Sequence, residues 1–242
     1  MDDRPVKALL FDLDNTLIET SKAGAEALQK TSQFLKTTLD LDDTTTTSIC
    51  DKFKHKLFHE KLHRSAGECI DDIRVRHWKE SLEETLGSCP TASLPAECYF
   101  LWKDTRLGLL CLTPAVCDLL KQLRCTYKLM LLTNGEAQTQ REKVNVTHCE
   151  EYFDAIVVGG EHKEQKPYIS IFKLCFDLLE VDAQECVMVG DNLDTDIQGG
   201  LNAGVRATVW VNPVGPVSSG SVKPDYTLPT VLELPDVLAQ LH

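Results

Sequence analysis

The sequence contains no apolar run long enough to cross a membrane. Apolar runs such as Ala8 to Phe11 and Leu129 to Leu132 have four residues each, whereas a membrane-spanning helix needs about 20. The first residues, Met-Asp-Asp-Arg, form no apolar signal core, so we do not expect secretion. We therefore expect a cytoplasmic protein that has no membrane partner.

Positive charge is scarce. The 242 residues include 25 lysines and arginines but 37 aspartates and glutamates, which gives a formal net charge of −12. An acidic chain binds nucleic acid poorly, because nucleic acid is itself negatively charged. We therefore expect no nucleic-acid partner, and no feature of the sequence indicates an obligate protein partner.

Motifs that bind zinc through cysteine or histidine are missing. None of the ten cysteines stands at a Cys-x-x-Cys spacing, and the seven histidines form no His-Glu-x-x-His motif. A zinc site is therefore not expected. Without a secretory signal, the cysteines are expected to be free thiols in a reducing compartment.

Short apolar runs typical of buried strands alternate with helical segments over most of the chain. Strands that are apolar on both faces and alternate with helices are typical of an α/β fold with a doubly wound parallel sheet. We predict such a Rossmann-like sheet here. Its strands are expected at about 6–11, 127–132, 155–158, 186–189 and 207–211, with a short one near 226.

A segment of different composition interrupts this pattern after the first strand. Residues 18–106 are polar and predict four helices, at about 22–39, 44–63, 69–86 and 94–106. In the third helix, Trp78, Leu82 and Leu86 follow the spacing that places side chains on one face. We therefore predict a catalytic core domain formed by residues 1–17 and 107–242, and an inserted helical cap domain formed by residues 18–106.

Polar residues directly follow three of the predicted strands. Asp12 and Asp14 follow the first strand, Thr133 and Asn134 follow the second, and Asp191 follows the fourth. In open parallel sheets, ligands bind outside the carboxyl ends of the strands. We therefore expect these side chains to converge at one edge of the sheet.

The charge of this edge indicates a bound cation. Two carboxylates ~4 Å apart repel each other by about 4 kcal/mol at an effective dielectric constant of ~20. Lys166 is expected at the same edge, but one lysine does not offset several acids, since Asp194 and Asp196 lie just beyond Asp191. Mg²⁺ is the expected cofactor, because it is held by one or two carboxylates, water and a substrate phosphate.

Four segments resemble, in order, the four signatures of the haloacid dehalogenase-like superfamily. A single one of these short motifs is unspecific, whereas the ordered set is specific. The helical insertion after the first signature is similar to the α-helical cap of this family, and the resemblance extends over nearly the whole chain. The four segments are Phe11-Asp12-Leu13-Asp14-Asn15-Thr16-Leu17, Leu132-Thr133-Asn134-Gly135, Lys166-Pro167 and Gly190-Asp191-Asn192-Leu193-Asp194-Thr195-Asp196.

The resemblance implies a Mg²⁺-dependent phosphatase that acts on a small sugar phosphate. Asp12 would be the nucleophile that becomes an aspartyl-phosphate, and Asp14 would be the general acid and then the general base. Crowding by Asp12 and Asp191 is expected to help Asp14 to carry a proton. The resemblance further implies phosphate binding by Leu13, Thr133, Asn134, Gly135 and Lys166, metal binding by Asp12, Asp14 (through its backbone carbonyl) and Asp191, and a supporting role for Asp196.

Other interpretations stay open at this stage. A dehalogenase needs the nucleophile but not the second aspartate, so Asp14 argues against it. A phosphomutase, or a phosphatase for another small organic phosphate, would share Asp12 and Asp14. A non-catalytic binding protein is expected to lack part of the acidic set, which is complete here. Asp194 fits a cap of the following helix as well as a site residue.

Overall fold

The computed structural model describes residues 5–60, 67–215 and 222–241. Within them, no helix combines the length and the apolar character needed to cross a membrane. The chain divides into two compact units, one formed by the residues up to Glu19 and from Leu110 onward, the other by Thr20–Leu109. The helical unit thus begins two residues later and ends three residues later than the predicted cap domain.

The unit Thr20–Leu109 is helical wherever its regular structure is described. Its helices are α1 (Thr20–Leu39), α2 (Asp43–Phe58), α3 (Ile70–Leu86) and α4 (Leu94–Leu109). All four predicted helices are present, although residues 61–63 of the second prediction lie outside the described residues. On the predicted face of α3, Trp78 and Leu82 are inaccessible to solvent, whereas Leu86 is half-buried against the same core. Trp78 stacks on Phe53 with ring centroids 4.1 Å apart, and the pair lies in the core of this unit.

The other unit is built on a parallel sheet. In the described part of the chain its strands are β1 (Ala8–Phe11), β2 (Lys128–Thr133), β3 (Ala155–Val158), β4 (Cys186–Gly190), β5 (Ala207–Val211) and β6 (Tyr226–Leu228). They lie in the order β3-β2-β1-β4-β5-β6, and every neighbouring pair is parallel. The predicted doubly wound parallel sheet is therefore confirmed.

Helices follow the strands of this unit as the predicted alternation requires. They are α5 (Pro114–Arg124), α6 (Ala137–Thr147), α7 (Ile169–Leu179), α8 (Gln198–Ala203) and α9 (Leu234–Leu238). All four residues of β1 are completely buried, which is expected for a central strand of a sheet covered on both faces. On one face, Leu10, Met130 and Met188 pack in one cluster with Phe172 of α7.

The strand order places a topological switch point beside β1. From β1 the chain builds β2 and β3 on one side, and then β4, β5 and β6 on the other side. Connections diverge at such a point, and the crevice outside the carboxyl ends of the strands is where open α/β sheets bind ligands. A ligand-binding site is therefore expected among the residues that follow β1, β2 and β4.

Candidate active site

The register of the central strands brings three predicted site segments to one level of the sheet. Phe11 pairs with Leu131 of β2 and with Val189 of β4. The segments that follow these three residues therefore begin side by side. The backbone N–H of Asp12 still donates to the carbonyl oxygen of Val189 at 2.9 Å, so Asp12 continues the ladder by one residue and is held firmly by the backbone.

Lys166 is a buried cation at this edge. Its Nζ lies 2.7 Å from Asp12 Oδ1, 2.7 Å from Asp196 Oδ1 and 2.6 Å from the carbonyl oxygen of Leu132. Burial by itself lowers the pKa of the ammonium group, but Asp12 and Asp196 together outweigh burial and hold the pKa of Lys166 above its usual range. Lys166 is therefore a charged counter-ion for two acids.

The acids around Lys166 are themselves strongly perturbed. Burial raises the pKa of Asp12 above its usual range; Lys166 opposes this shift, and the charge of Asp196 adds to it. Burial also raises the pKa of Asp191 to about 6, with repulsion by Asp196 in the same direction and a hydrogen bond to Asn15 against it. The perturbed carboxyl groups therefore cluster at the strand ends, which is where functional sites place such groups.

Three acids are placed to share a cation. One carboxylate oxygen from each of Asp12, Asp191 and Asp196 lies within 4.8 Å of the corresponding oxygens of the other two. Carboxylate oxygens are the hard donors that Mg²⁺ prefers, and a divalent cation would offset both the burial and the repulsion by Asp196 that raise the pKa of Asp191. The donor set therefore fits Mg²⁺. Two of the predicted ligands belong to it, and Asp196, predicted as supporting, is its third member.

The Asp14 carboxylate lies outside that group and contacts helix α6. Lys143 Nζ lies 2.8 Å from Asp14 Oδ1 and 2.6 Å from Oδ2, while Gln140 Nε2 donates to Oδ2 at 3.1 Å. The expectation from crowding considered only the neighbouring acids and omitted Lys143, a cation that favours the charged carboxylate. The predicted site omitted both α6 residues. The one available signal was a Gln-x-x-Lys pair on the helix that begins just after β2.

The loop after β2 organises the site through its side chains. Asn134 Nδ2 donates to the Lys166 carbonyl oxygen at 2.8 Å, and the Lys166 N–H donates to Asn134 Oδ1 at 3.0 Å. The buried Thr133 hydroxyl lies 3.5 Å from Gln140 Oε1. Gly135 has a φ of 121°, and an added Cβ would lie 2.6 Å from Gln140 Nε2. The loop thus fixes Lys166, while phosphate binding by its residues stays a prediction.

The turn after β1 is closed by its own backbone. Leu13 is completely buried, and its carbonyl oxygen accepts the N–H of Leu17 at 3.0 Å and that of Ile18 at 3.2 Å. Asn15 adopts a positive φ of 57°, a conformation that asparagine tolerates better than most residues. Leu13 lies between the two predicted catalytic acids in the sequence, and its phosphate-binding role stays a prediction.

The loop after β4 is organised by Asn192 and Asp196. The side-chain oxygen of Asn192 accepts the backbone N–H groups of Asp194 and Thr195 at 2.9 and 3.1 Å. Asp196 Oδ2 in turn accepts the N–H of Asn192 at 3.0 Å. Asn192 therefore caps the helical turn Leu193–Ile197 that precedes α8, a role that the sequence allowed for Asp194. The side chain of Asp194 is exposed. Asp196, by contrast, is almost completely buried against Lys166.

Residues 6–204 match the family model described as haloacid dehalogenase-like hydrolase. This match covers more than half of the chain, and the four ordered segments of the site lie within it. The chain belongs to this family of hydrolases.

Several relatives of the chain are phosphatases. The chain is 48% identical over 237 residues to N-acylneuraminate-9-phosphatase of Rattus norvegicus, which covers 98% of this chain and 95% of the relative. The same identity and coverage hold over 238 residues for the Homo sapiens protein of that name. Glyceraldehyde 3-phosphate phosphatase of Methanopyrus kandleri is 30% identical, with 98% of both chains covered. Together with the family match, these relatives support a phosphoric monoester hydrolase.

Solved structures of the family share the fold. The magnesium-bound HAD-hydrolase YfnB of Bacillus subtilis superposes with a TM-score of 0.70 at 22% identity, covering 97% of this chain and 99% of the other. The 2-haloacid dehalogenase of Pseudomonas syringae has a TM-score of 0.69 at 25% identity, with 98% and 100% covered. The fold is thus shared with a dehalogenase, so the fold alone does not distinguish phosphatase from dehalogenase chemistry.

Proposed function

We propose that this chain is a Mg²⁺-dependent phosphatase that hydrolyses N-acylneuraminate 9-phosphate to the free sialic acid and inorganic phosphate. The observation that carries the chemistry is the buried Lys166 between Asp12 and Asp196, with Asp191 completing a set of oxygen donors. The choice of sugar is supported by the 48% identity to two proteins of that name. The proposal also places the protein in sialic acid biosynthesis.

The first step is a phosphoryl transfer to Asp12. A carboxylate oxygen of Asp12 attacks phosphorus, the bond from phosphorus to the sugar oxygen breaks, and Asp14 gives a proton to the departing oxygen. A carboxylate is a weak nucleophile, so the step depends on holding the phosphoryl group in line and on neutralising its charge. Lys166 supplies one positive charge within 2.7 Å of the nucleophile.

The second step is hydrolysis of the aspartyl-phosphate. Asp14, now deprotonated, takes a proton from a water molecule, whose oxygen attacks phosphorus and releases Asp12. Thr133, Lys166 and the backbone N–H groups of Leu13, Asn134 and Gly135 are proposed to bind the phosphoryl oxygens. Losing one such donor typically costs ~10²–10³ in rate.

Mg²⁺ is proposed as the cofactor. The carboxylates of Asp12 and Asp191 and the backbone carbonyl of Asp14 would hold it, with Asp196 in support. When bound, it supplies electrostatic stabilisation of the phosphoryl group. The related YfnB structure is bound to magnesium, and the acids of this chain are arranged as a shared donor set.

The setting of the enzyme is part of the same proposal. The partner is a small sugar phosphate, without nucleic acid, membrane or an obligate protein partner, and the location is the cytoplasm. The ten cysteines are free thiols, which is consistent with a reducing compartment. The units are proposed to be a catalytic core and a helical cap domain, and every proposed catalytic residue belongs to the core.

The proposal is tested by phosphate release from a panel of sugar phosphates with Mg²⁺, and Asp12→Asn serves as the control. We expect turnover of N-acylneuraminate 9-phosphate above that of unrelated sugar phosphates, and none with Asp12→Asn. Turnover retained by Asp12→Asn would falsify the assignment of Asp12 as the nucleophile. Equal rates across the panel would contradict the assignment of N-acylneuraminate 9-phosphate as the preferred substrate. An isomeric sugar phosphate as product would indicate a phosphomutase.

A further inference from the structure

Two residues on successive turns of α6 contact Asp14. Lys143 Nζ contacts both carboxylate oxygens, at 2.8 and 2.6 Å, and Gln140 Nε2 donates to Oδ2 at 3.1 Å. The Lys143 side chain is only 2% exposed, whereas that of Asp14 is 25% exposed. The supporting groups are therefore more deeply buried than the carboxylate they contact, which keeps one side of Asp14 open to solvent.

This arrangement restricts how the Asp14 carboxylate can turn. A single donor would leave the group free to rotate about its last side-chain torsion, a torsion that is broad for aspartate. Contacts at both oxygens remove that freedom. A group that transfers a proton to a reacting atom needs a defined direction and distance, and a misplacement of about 1 Å can cost ~10² in rate.

Gln140 also connects Asp14 to the loop after β2. Its Oε1 lies 3.5 Å from the Thr133 hydroxyl, and its amide packs so closely on Gly135 that an added Cβ would meet it at 2.6 Å. One helix therefore supports the proposed proton donor and also packs against residues proposed to bind phosphate. The spacing between these two parts of the site is fixed by α6.

We propose that Lys143 and Gln140 are positioning residues, which orient the Asp14 carboxylate for proton transfer to the leaving oxygen and from the hydrolytic water. The inference rests on the proposed phosphatase function. It assigns no contact with the reacting atoms to either residue. Their effect on the reaction is exerted through Asp14.

The test is Lys143→Met, which keeps the length of the side chain and removes its charge. Lys143→Arg is the conservative variant that keeps a cation. The matched control is Arg141→Met, on the same helix, because Arg141 pairs with Glu161 at 2.6 and 2.7 Å. Each variant is compared with the native protein by its thermal unfolding midpoint, so that a folding defect is recognised.

Two substrates separate the two chemical steps. A sugar phosphate needs a proton on its leaving oxygen, whereas p-nitrophenyl phosphate releases a stable phenolate without one. With the sugar phosphate, Lys143→Met is expected to lower kcat by about 10² while KM changes little. With p-nitrophenyl phosphate, the first step continues but hydrolysis of the aspartyl-phosphate is slow. We therefore expect a rapid burst of one p-nitrophenolate per enzyme, followed by slow turnover.

Lys143→Arg is expected to recover most of the lost kcat, and Arg141→Met to behave as the native protein. If Lys143→Met folds poorly, Gln140→Leu provides the same test through one contact, with an expected loss of about tenfold. A normal kcat in folded Lys143→Met, or an equal slowing of both steps without a burst, would contradict the positioning role. Either result would leave the proposed phosphatase function intact. Failure of the native protein to release phosphate from any substrate overturns the proposed function and this inference together.

Discussion

Replacing Asp191 by asparagine is expected to stabilise the protein when Mg²⁺ is removed. Burial raises the pKa of Asp191 from 3.8 to about 6 in the folded protein, while the unfolded chain keeps an ordinary value. The folded protein therefore binds this proton more tightly than the unfolded chain does. Stability from this group is present below the unfolded pKa and is lost as the pH rises from 3.8 to about 6.

The size of the effect follows from the shift. A shift of about two units at 1.36 kcal/mol per unit gives an upper limit of about 3 kcal/mol. Asp191 is partly exposed, so solvent screening reduces this to about 1–2 kcal/mol. Asparagine has the same shape without the charge. At pH values above 7, Asp191→Asn is therefore expected to raise the thermal unfolding midpoint of the metal-free protein by about 2–8 °C.

The assay is thermal unfolding followed by circular dichroism in the presence of EDTA. The native protein and Asp191→Asn are compared at pH 7.5 and at pH 5.0, where the advantage of the variant should fall to about half. Asp194→Asn is the matched control, because Asp194 lies in the same loop and is exposed. The reasoning is refuted if Asp191→Asn is no more stable than the native protein at pH 7.5, or if its advantage does not shrink at pH 5.0.

Three further changes test the ion pairs of the site, a close backbone contact and the core of the helical unit. Lys166→Met leaves two buried carboxylates without their cation and should lower the free energy of unfolding in urea by about 3–5 kcal/mol; an unchanged urea midpoint would contradict the ion-pair geometry. Gly160→Ala places a Cβ 2.1 Å from the carbonyl oxygen of Gly135, whereas Gly108→Ala meets nothing within 4 Å. Only the former should therefore lower the thermal midpoint markedly. Trp78→Ala removes a fully buried ring from the helical unit and should lower the free energy of unfolding by about 3–5 kcal/mol in chemical denaturation. A loss below about 1 kcal/mol would mean that the surrounding side chains close the cavity left by the ring.

The parallel sheet could be predicted because each of its strands is a local pattern. A short apolar run that ends in small and polar residues specifies both the strand and the direction in which its end points. β3 and β5 have the predicted bounds, and β4 extends one residue further, to Gly190. In the helical unit, the face of α3 was predictable for a similar reason, since helical periodicity relates residues only a few positions apart.

For Lys166, the sequence predicted a position at the sheet edge near Asp12 but not the ion pair with Asp196. Parallel strand ends converge, so Lys166 was expected near Asp12, and the structure places the two in contact. That Lys166 also pairs with Asp196 depends on the turn that Asn192 caps. From the sequence alone, Asp194 fitted both a helix cap and a site residue, so the capping by Asn192 was not predicted.

Lys143 and Gln140 could not be predicted as neighbours of Asp14. They lie 129 and 126 residues away along the chain, and periodicity says only that they share a face of α6. Which side chain that face meets depends on how α6 packs against the turn after β1. No local pattern encodes that packing, so the sequence indicated the acid but not the groups that support it.

The two buried lysines sharpen the case for a divalent cation. Lys166 pairs with Asp12 and Asp196, and Lys143 pairs with Asp14, so two positive charges face four acids once Asp191 is counted. If all of these groups are ionised, a charge of −2 remains at the strand ends. Burial raises the pKa of Asp191, and repulsion by Asp196 adds to that shift, so the ionised form of Asp191 is destabilising when no cation is bound. A single Mg²⁺ carries the opposite charge, and its binding would stabilise the ionised Asp191, which removes the instability that Asp191→Asn is designed to reveal.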